Sequence, residues 1–280
     1  MEPVTKGGKN MSNPIRDALN SGKRLLGTHV NLTDYRVCEM LGYIGFDYLW
    51  IDMEHIATDF HDMEQHLIAA KAAGTPCLVR VTWNDIPNIK RVLEAGPDGI
   101  VVPMVNSVEE AQRAIDTCIY PPEGKRGFGP CRAVRYGLDN TQEYIDSKSK
   151  ELCRFLQVET KDAVENMEEV CRIPYVDGFV IGPMDLSGSV GALGHAREDA
   201  VTNELIETAI RKAHAAGKPI GFSTGTDDPD ELAFWISKGV DFISASTDMW
   251  SILKGAKSLL SDMKRISEQY PRRESGKNEN

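Results

Sequence analysis

The stretch DMEQHLIAAKAAGTPCLVRV, residues 62–81, contains a complete change of secondary structure. Its first part carries apolar side chains at helical spacing, and its last part, PCLVRV, has the apolar and β-branched content of a buried strand. Gly74 lies between the two, where helices often end on a glycine in the left-handed conformation. The stretch therefore predicts a helix that turns directly into a strand.

The same turn recurs along the chain at a constant spacing. Gly96 follows Gly74 by 22 residues, and Gly239 follows Gly217 by 22 residues. A repeated helix end, glycine and strand start indicates an internally repeated architecture. Acids near these strand starts are predicted to lie at the bottom of the fold and to have structural roles. They are Asp47, Asp98, Asp177 and Asp241.

Short apolar runs alternate with longer amphipathic segments through most of the chain. A strand followed by a helix, repeated eight times, predicts an α/β fold of the (β/α)8 TIM-barrel type. An open, doubly wound sheet is the alternative, but no GxGxxG motif follows the first run. A single barrel domain is predicted over residues 13–270, with flexible tails at 1–12 and 271–280. The eight runs are residues 25–30, 46–51, 76–81, 98–103, 154–159, 177–182, 218–223 and 240–245.

Composition narrows the functional classes. The 280 residues carry a net charge of -10, which disfavours nucleic acid and anionic membranes as partners. The six cysteines form no CxxC pair and have no zinc-type spacing, which favours a reduced, cytoplasmic setting. The N-terminus lacks the apolar segment of a signal peptide, and no apolar run approaches the ~18 residues of a membrane span. Small molecules are therefore the expected partners.

Polar side chains stand at the ends of several predicted strands. The carboxyl ends of barrel strands meet at one mouth, where barrel enzymes place their active sites. An arginine inside an apolar strand has to be paired or face a polar cavity, and the alternative is that Arg80 binds carbonyl groups at the barrel rim. The residues predicted at the mouth are Asp52, His55, Arg80, Gln157, Glu159 and Asp185.

Two of these acids suggest a metal. Glu159 and Asp185 belong to consecutive strands and are expected to lie close together, and two such carboxylates repel unless a cation or a shared proton separates them. Oxygen donors without Cys or His favour a hard divalent cation such as Mg²⁺ or Mn²⁺. The alternative is that one carboxylate pairs with Arg80. No lysine ends a predicted strand, so a Schiff-base mechanism has no obvious nucleophile.

The glycine-rich segment GPMDLSGSVGALG, residues 182–194, suggests an anion site. Gly182 and Pro183 are predicted to turn the chain into a short helix. Its free N–H groups, near Met184 and Asp185, are expected to receive a small carboxylate or phosphate.

Four motifs in order at the predicted strand ends resemble those of the HpcH/HpaI family of metal-dependent pyruvate aldolases. They are DMEH (52–55), LVRV (78–81), QVET (157–160) and GPMDLSGSVGALG (182–194). The similarity covers nearly the whole predicted barrel. The resemblance implies a phosphoenolpyruvate/pyruvate-type barrel whose final helix swaps with a neighbouring subunit, in a homo-oligomer that is commonly a hexamer of three dimers.

The resemblance also implies roles for individual residues. Glu159 and Asp185 would ligate a divalent metal cation, Mg²⁺, Mn²⁺ or Co²⁺. Arg80 would bind the keto oxygen of pyruvate, and His55 with Asp52 would form the catalytic base dyad. The carboxylate of pyruvate would rest on backbone N–H groups after Pro183. The implied substrate-binding residues are Arg80, Gln157, Gly182, Pro183, Met184 and Asp185.

The expected reaction is cleavage of a 4-hydroxy-2-oxo acid to pyruvate and an aldehyde through a metal-stabilised pyruvate enolate, as in class II aldolases. An oxaloacetate decarboxylase, a CoA-ester lyase and a non-catalytic barrel that binds a 2-oxo acid remain alternatives. The segments IATDF (56–60) and GPCRAVRYG (129–137) depart from what is usual in the family. They are expected to form the aldehyde pocket, so the aldehyde partner stays open.

The remaining candidates receive simpler interpretations. Glu54 is predicted to contact solvent or to support the reacting groups from behind. His61 and His66, on the predicted helix after the second strand, are expected at the surface. His29 and His195 are candidates to face the mouth.

Overall fold

A computed structural model describes residues 13–270, and the tails predicted to be flexible, 1–12 and 271–280, lie outside the described residues. Eight parallel strands close into a barrel in sequence order, with β1 pairing to β8. The predicted (β/α)8 TIM barrel is therefore confirmed, and each predicted run overlaps an observed strand. The strands are β1 (Leu25–Val30), β2 (Tyr48–Asp52), β3 (Cys77–Arg80), β4 (Gly99–Val102), β5 (Cys153–Val158), β6 (Gly178–Ile181), β7 (Ile220–Thr224) and β8 (Phe242–Thr247).

Helices connect the strands around the outside of the barrel. A 3₁₀ segment (Arg132–Gly137) and a π-helical turn (Tyr144–Lys148) interrupt the long connection between the fifth α-helix and β5. No helix within residues 13–270 is long and apolar enough to cross a membrane. The α-helices are α1 (Pro14–Asn20), α2 (Arg36–Ile44), α3 (Phe60–Ala73), α4 (Ile86–Ala95), α5 (Val108–Cys118), α6 (Thr141–Glu143), α7 (Ser149–Glu151), α8 (Lys161–Val170), α9 (Pro183–Ser189), α10 (Ala200–Ala215), α11 (Pro229–Ser237) and α12 (Asp248–Gln269).

The repeated glycine turn has the predicted geometry. Gly74 ends α3 with φ 75° and Gly96 ends α4 with φ 70°, both in the left-handed region that side chains with a Cβ rarely adopt. Gly217 and Gly239, the equivalent pair in the second half, have φ values of 67° and 94°. These glycines let each helix end and the chain reverse into the next strand.

Four acids tie the bottom of the barrel together. Each precedes an even-numbered strand, and its carboxylate accepts a hydrogen bond from a backbone N–H at the start of the strand before it. Such bonds satisfy donors that would otherwise lack a partner at the sheet end. The structural role predicted for these acids is confirmed. The bonds join Asp47 to Leu26, Asp98 to Cys77, Asp177 to Arg154 and Asp241 to Ile220, at 2.8–2.9 Å.

Large side chains facing glycines fill the barrel interior. A Cβ at Gly27 would lie 2.5 Å from the ring of Tyr48, and one at Gly221 would lie 2.2 Å from the ring of Phe242. Both distances are well inside van der Waals contact. The aromatic rings therefore occupy the space that the absent side chains leave, and the core reaches its packing density only with glycine at these positions.

The final helix, α12, contacts the barrel of its own chain at its start, where Asp248 is buried, and is uncovered beyond that residue. Every residue from Met249 to Gln269 is exposed in the single chain, including the apolar side chains of Trp250, Leu260 and Met263. An amphipathic helix with uncovered apolar residues is stable when another surface covers them. The swap of this helix between subunits requires a second chain and stays a prediction.

Replacing Gly221 with alanine tests the packing of the interior. The added Cβ would overlap the ring of Phe242, and overpacking of this kind costs about 1–3 kcal/mol. We expect the midpoint of urea unfolding to fall. Gly225→Ala is the matched control, because no atom lies within 4 Å of its added Cβ. Equal midpoints for the two variants would contradict this account of the core.

Candidate active site

A buried ion pair links the ends of β2 and β3. Asp52 and Arg80 are partners in the strand register. Nε and Nη2 of Arg80 donate to Oδ1 and Oδ2 of Asp52 at 2.9 and 2.8 Å. Nη1 of Arg80 lies 2.9 Å from Oε2 of Glu54. Of the two environments considered for Arg80, the structure therefore has the paired arginine and not the arginine bound to rim carbonyls.

The pairing of His55 with Asp52 is not formed in this structure. Asp52 is engaged by Arg80 and also accepts a hydrogen bond from the backbone N–H of Glu54 at 3.0 Å. The side chain of His55 is 62% exposed, and its Nε2 lies 3.6 Å from Oε2 of Glu54. Strand register brings Asp52 opposite a permanently charged guanidinium, whereas His55 follows the strand on a turn that carries it to the rim.

Glu54 is a site residue that the sequence interpretation underestimated. Its side chain is 12% exposed and contacts Arg80. Burial raises the pKa of Glu54 to about 7; Arg80 opposes the shift, and Asp52 and Asp185 add to it. The alternation of a strand continues past the end of β2, so Asp52 and Glu54 share the inward face while Met53 points outward. That spacing of two was the available signal.

Glu159 is held rigidly just beyond β5. Its Oε1 accepts the backbone N–H of Met104 at 2.5 Å, and its Oε2 accepts Nε2 of Gln157 at 2.6 Å. Burial raises the pKa of Glu159 to about 7; the bond from Met104 opposes this, while the charges of Glu54 and Asp185 raise the pKa further. The fold thus keeps a carboxylate where its negative charge is unfavourable.

Asp185 lies in the first turn of α9, which begins directly after β6. Gly182 caps that helix, and a Cβ there would lie 3.0 Å from Nε2 of Gln157 and 3.5 Å from Cβ of Glu159. Glycine at this position therefore leaves space beside the carboxylate of Glu159. Pro183 is buried and Met184 is exposed, so the first turn of α9 borders this space from the rim.

The mouth carries more negative than positive charge. Asp52, Glu54, Glu159 and Asp185 act electrostatically on one another or on the guanidinium of Arg80. Carboxylate oxygens are the ligands that hard divalent cations prefer, and a cation would relieve the repulsion. Within residues 13–270, no three Asp, Glu, His or Cys side chains already form a metal-binding group. Glu159 and Asp185 would supply oxygen donors of the type that such a cation prefers.

Two of the histidines are buried. His29 at the end of β1 is buried, with Nδ1 2.7 Å from the carbonyl oxygen of Ser246 and Nε2 2.8 Å from Oγ of Ser223. Burial lowers its pKa to about 4, so the ring is neutral at physiological pH. The surface position predicted for His66 is wrong: it is 0% exposed, because it lies on the face of α3 that carries Met63 and the other buried residues.

His61 and His195, the other two candidates outside the DMEH motif, are exposed. His61 is at the surface of α3, as predicted, and His195 lies on the loop after α9. His195 contributes backbone hydrogen bonds to that loop. Neither joins the network of Arg80 and its carboxylates among the described contacts.

One of the two segments expected to form the aldehyde pocket lies at the other end of the barrel. Nη1 of Arg132 donates to the carbonyl of Ala95, at the end of α4. The expectation for residues 129–137 is therefore wrong for the mouth of this chain. The physical reason is connectivity: the segment leads from a helix end to a strand start, and such connections run along the bottom of a barrel. Residues 56–60 follow the mouth end of β2, as expected, and Asp59 among them caps α3.

Comparison with known proteins agrees with the resemblance found in the motifs. A profile of the family HpcH/HpaI aldolase/citrate lyase matches residues 25–254. The 2-dehydro-3,6-dideoxy-6-sulfogluconate aldolase of Pseudomonas putida is 35% identical over 240 residues, 85% of this chain and 92% of that protein. The hydroxypyruvate/pyruvate aldolase of Roseobacter denitrificans is 31% identical over 252 residues, 90% of this chain and 97% of that protein.

A solved structure extends the likeness from sequence to fold. An HpcH/HpaI aldolase/citrate lyase family protein from Burkholderia cenocepacia superposes with a TM-score of 0.83 at 27% identity, over 90% of this chain and 100% of that one. The family match, the aldolase relatives and the closed barrel agree. The chain is a member of the HpcH/HpaI aldolase/citrate lyase family.

Proposed function

We propose that the protein is a divalent-metal-dependent, class II aldolase that cleaves a 4-hydroxy-2-oxo acid to pyruvate and an aldehyde. The observation that carries this proposal is the group of carboxylates around Arg80, in which Glu54 and Glu159 both have pKa values raised to about 7. This chain matches relatives named as aldolases over most of their length, which supports carbon–carbon lyase chemistry.

Glu159 and Asp185 would hold the cation. When bound, Mg²⁺, Mn²⁺ or Co²⁺ supplies Lewis-acid activation of a keto oxygen. Gln157 fixes one oxygen of Glu159 at 2.6 Å, so the carboxylate is oriented before any ligand arrives. Gly182 leaves the space beside it that a substrate oxygen needs.

Arg80 would stabilise the enolate that forms as the carbon–carbon bond breaks. The two hydrogen bonds that its guanidinium donates to Asp52 hold it in one orientation, so little reorganisation is needed when negative charge develops on the keto oxygen. Asp52 therefore acts by positioning Arg80. The carboxylate of pyruvate would lie at the first turn of α9, against the backbone of Pro183 and Met184.

His55 would move the proton. In the direction of cleavage, a base removes the proton of the 4-hydroxyl group, the bond between C3 and C4 breaks, and the resulting enolate takes a proton at C3. An exposed imidazole at the rim can pass a proton between substrate and solvent. Because Asp52 is engaged by Arg80, the acid that stands beside the imidazole is Glu54, 3.6 Å away.

Decarboxylation of oxaloacetate is a second candidate reaction for the same site. It reaches the same enolate by loss of CO₂ and needs no base for its first step. The specific observation in its favour is that His55 is exposed and unpaired with Asp52.

We also propose a homo-oligomer, with a hexamer as the arrangement that the family resemblance implies. The support is α12, whose apolar residues Trp250, Leu260 and Met263 are uncovered in the single chain. A monomeric mass by light scattering would contradict this.

The six unpaired cysteines, of which only Cys131 is exposed, support a reduced, cytoplasmic setting.

The function is tested by release of pyruvate from a panel of 4-hydroxy-2-oxo acids derived from sugar acids. We expect turnover to stop after treatment with a chelator and to return with Mg²⁺, Mn²⁺ or Co²⁺. Full activity after exhaustive removal of metal would overturn the metal-dependent mechanism. Absence of pyruvate from every acid, with oxaloacetate still decarboxylated, would favour the second reaction.

Arg80 is tested by two substitutions. Arg80→Ala removes a preorganised charge, so kcat/KM should fall by ~10²-fold or more. Arg80→Lys keeps the charge but loses the two-pronged bond to Asp52, and it should also be impaired. Arg91→Lys, on the outer helix α4, is the matched control and should keep its rate. Near-normal kinetics of both Arg80 variants, with circular dichroism unchanged, would reject the role.

The raised pKa of Glu159 predicts a pH effect on stability. The folded, metal-free protein holds a proton on this group over a range in which the unfolded chain has released it, from about pH 4.5 to about pH 7. Its contribution to stability is therefore lost as pH rises through that range. Glu159→Gln lacks this loss, so its melting temperature should gain on that of the unmodified protein between pH 5 and pH 7. A difference in melting temperature that does not change between pH 5 and pH 7 would contradict the raised pKa of Glu159.

Bound metal should favour the ionised form of Glu159, whereas burial favours its protonated form. Because a cation compensates the negative charge, added Mg²⁺ should raise the melting temperature more at pH 7 than at pH 5 in the unmodified protein. The Glu159→Gln variant should show a smaller rise.

A further inference from the structure

A cavity lies at the bottom of the barrel, at the starts of β3 and β4 and opposite the mouth. Its volume is about 240 Å³, far above the ~10–15 Å³ that a single water molecule requires. The 3₁₀ segment from the long connection before β5 closes one side of it. Its charged and apolar lining includes Lys71, Arg132, Asp98, Leu67, Pro14 and Pro76.

The acid in this cavity differs from its three counterparts at the barrel bottom. Each of the other three has a basic side chain in direct contact: Lys23 for Asp47 at 2.5 Å, Arg16 for Asp177 at 2.9 Å and His214 for Asp241 at 2.9 Å. Within residues 13–270, Asp98 has no basic group within 4.0 Å. The space where the ion pair would lie is the cavity.

Two cations nevertheless stand around Asp98 at a greater distance. Burial raises the pKa of Asp98, and the bond from the N–H of Cys77 and the charges of Lys71 and Arg132 oppose that rise. Both cations are thus near enough to act on the acid without touching it.

The donors of these cations are incompletely used. The structure gives Nη1 of Arg132 the carbonyl oxygens of Ala95 and Gly96 as acceptors, and a guanidinium has five N–H donors. The side chain of Lys71 has no hydrogen bond or ion pair among the described contacts, and the residue is exposed at the cavity edge. One oxygen of Asp98 already accepts the backbone N–H of Cys77. The two cations therefore lie near an acid that forms an ion pair with neither of them.

We propose that this cavity binds a small oxyanion with a short carbon body, such as a dicarboxylate, between Lys71 and Arg132. The oxyanion accepts from Nζ of Lys71 and from the unused N–H groups of Arg132. Leu67, Pro14 and Pro76 provide an apolar wall for the carbon atoms. The site is separate from the chemistry at the mouth.

Calorimetric titration tests the proposal with the full-length protein. Malonate and, separately, inorganic phosphate are titrated at constant ionic strength in the presence of a chelator, so that no metal at the mouth attracts the anion. We expect saturable binding of malonate, with phosphate weaker because it has no carbon body for the apolar wall. Tighter binding of phosphate would overturn the preference for an organic ligand.

Variants assign any binding to the cavity. Lys71→Met should weaken binding at least tenfold, and Arg132→Met should do the same. Lys23→Met is the matched control at the same end of the barrel, and it should bind as the unmodified protein does. Because Arg132 also holds the end of α4, the decisive comparison is Lys71→Met with Lys23→Met. Equal affinity in these two variants, or no saturable binding of either anion to the unmodified protein, would overturn the proposal.

Discussion

The bidentate bond between Arg80 and Asp52 is the interaction on which the mouth of the barrel depends. Burying two charges is costly, and the cost is met only when the geometry is good and the remaining donors are satisfied. Strand register supplies that geometry, because the two residues are partners at the ends of β2 and β3. The third arm of the guanidinium then reaches Glu54. The orientation of Arg80 is thereby fixed by the sheet itself and not by a mobile loop.

The carboxylates around this pair make the metal-free mouth an unfavourable arrangement. Glu159 is buried and receives hydrogen bonds on both oxygens, yet its pKa remains raised because burial and neighbouring acids outweigh those bonds. Such a site stores free energy that binding of a cation can release. Gln157 and the backbone of Met104 fix the position of Glu159 through these two hydrogen bonds.

Much of the fold could be predicted because local chemistry and global architecture agree. Gly74 and Gly96 predicted helix ends, and the apolar run between them predicted a buried strand. Arg80, Glu159 and Asp185 could be placed at the mouth because strand ends in a barrel meet there. The partner of Asp52 could not be predicted, since motif spacing does not reveal which neighbour across a sheet competes for a carboxylate. His66 was misplaced because α3 has a weak contrast between its faces.

The four acids at the bottom join strands one to two, three to four, five to six and seven to eight. Side chains at the mouth make the complementary joints, from β2 to β3 through Arg80 and from the end of β4 to that of β5 through Glu159. Arg80 and Glu54 belong to the first four strands, whereas Glu159 and Asp185 belong to the last four. Neither half-barrel carries a complete set of reacting groups. The acids at the bottom join strands within each half, but an active site requires both halves to be assembled.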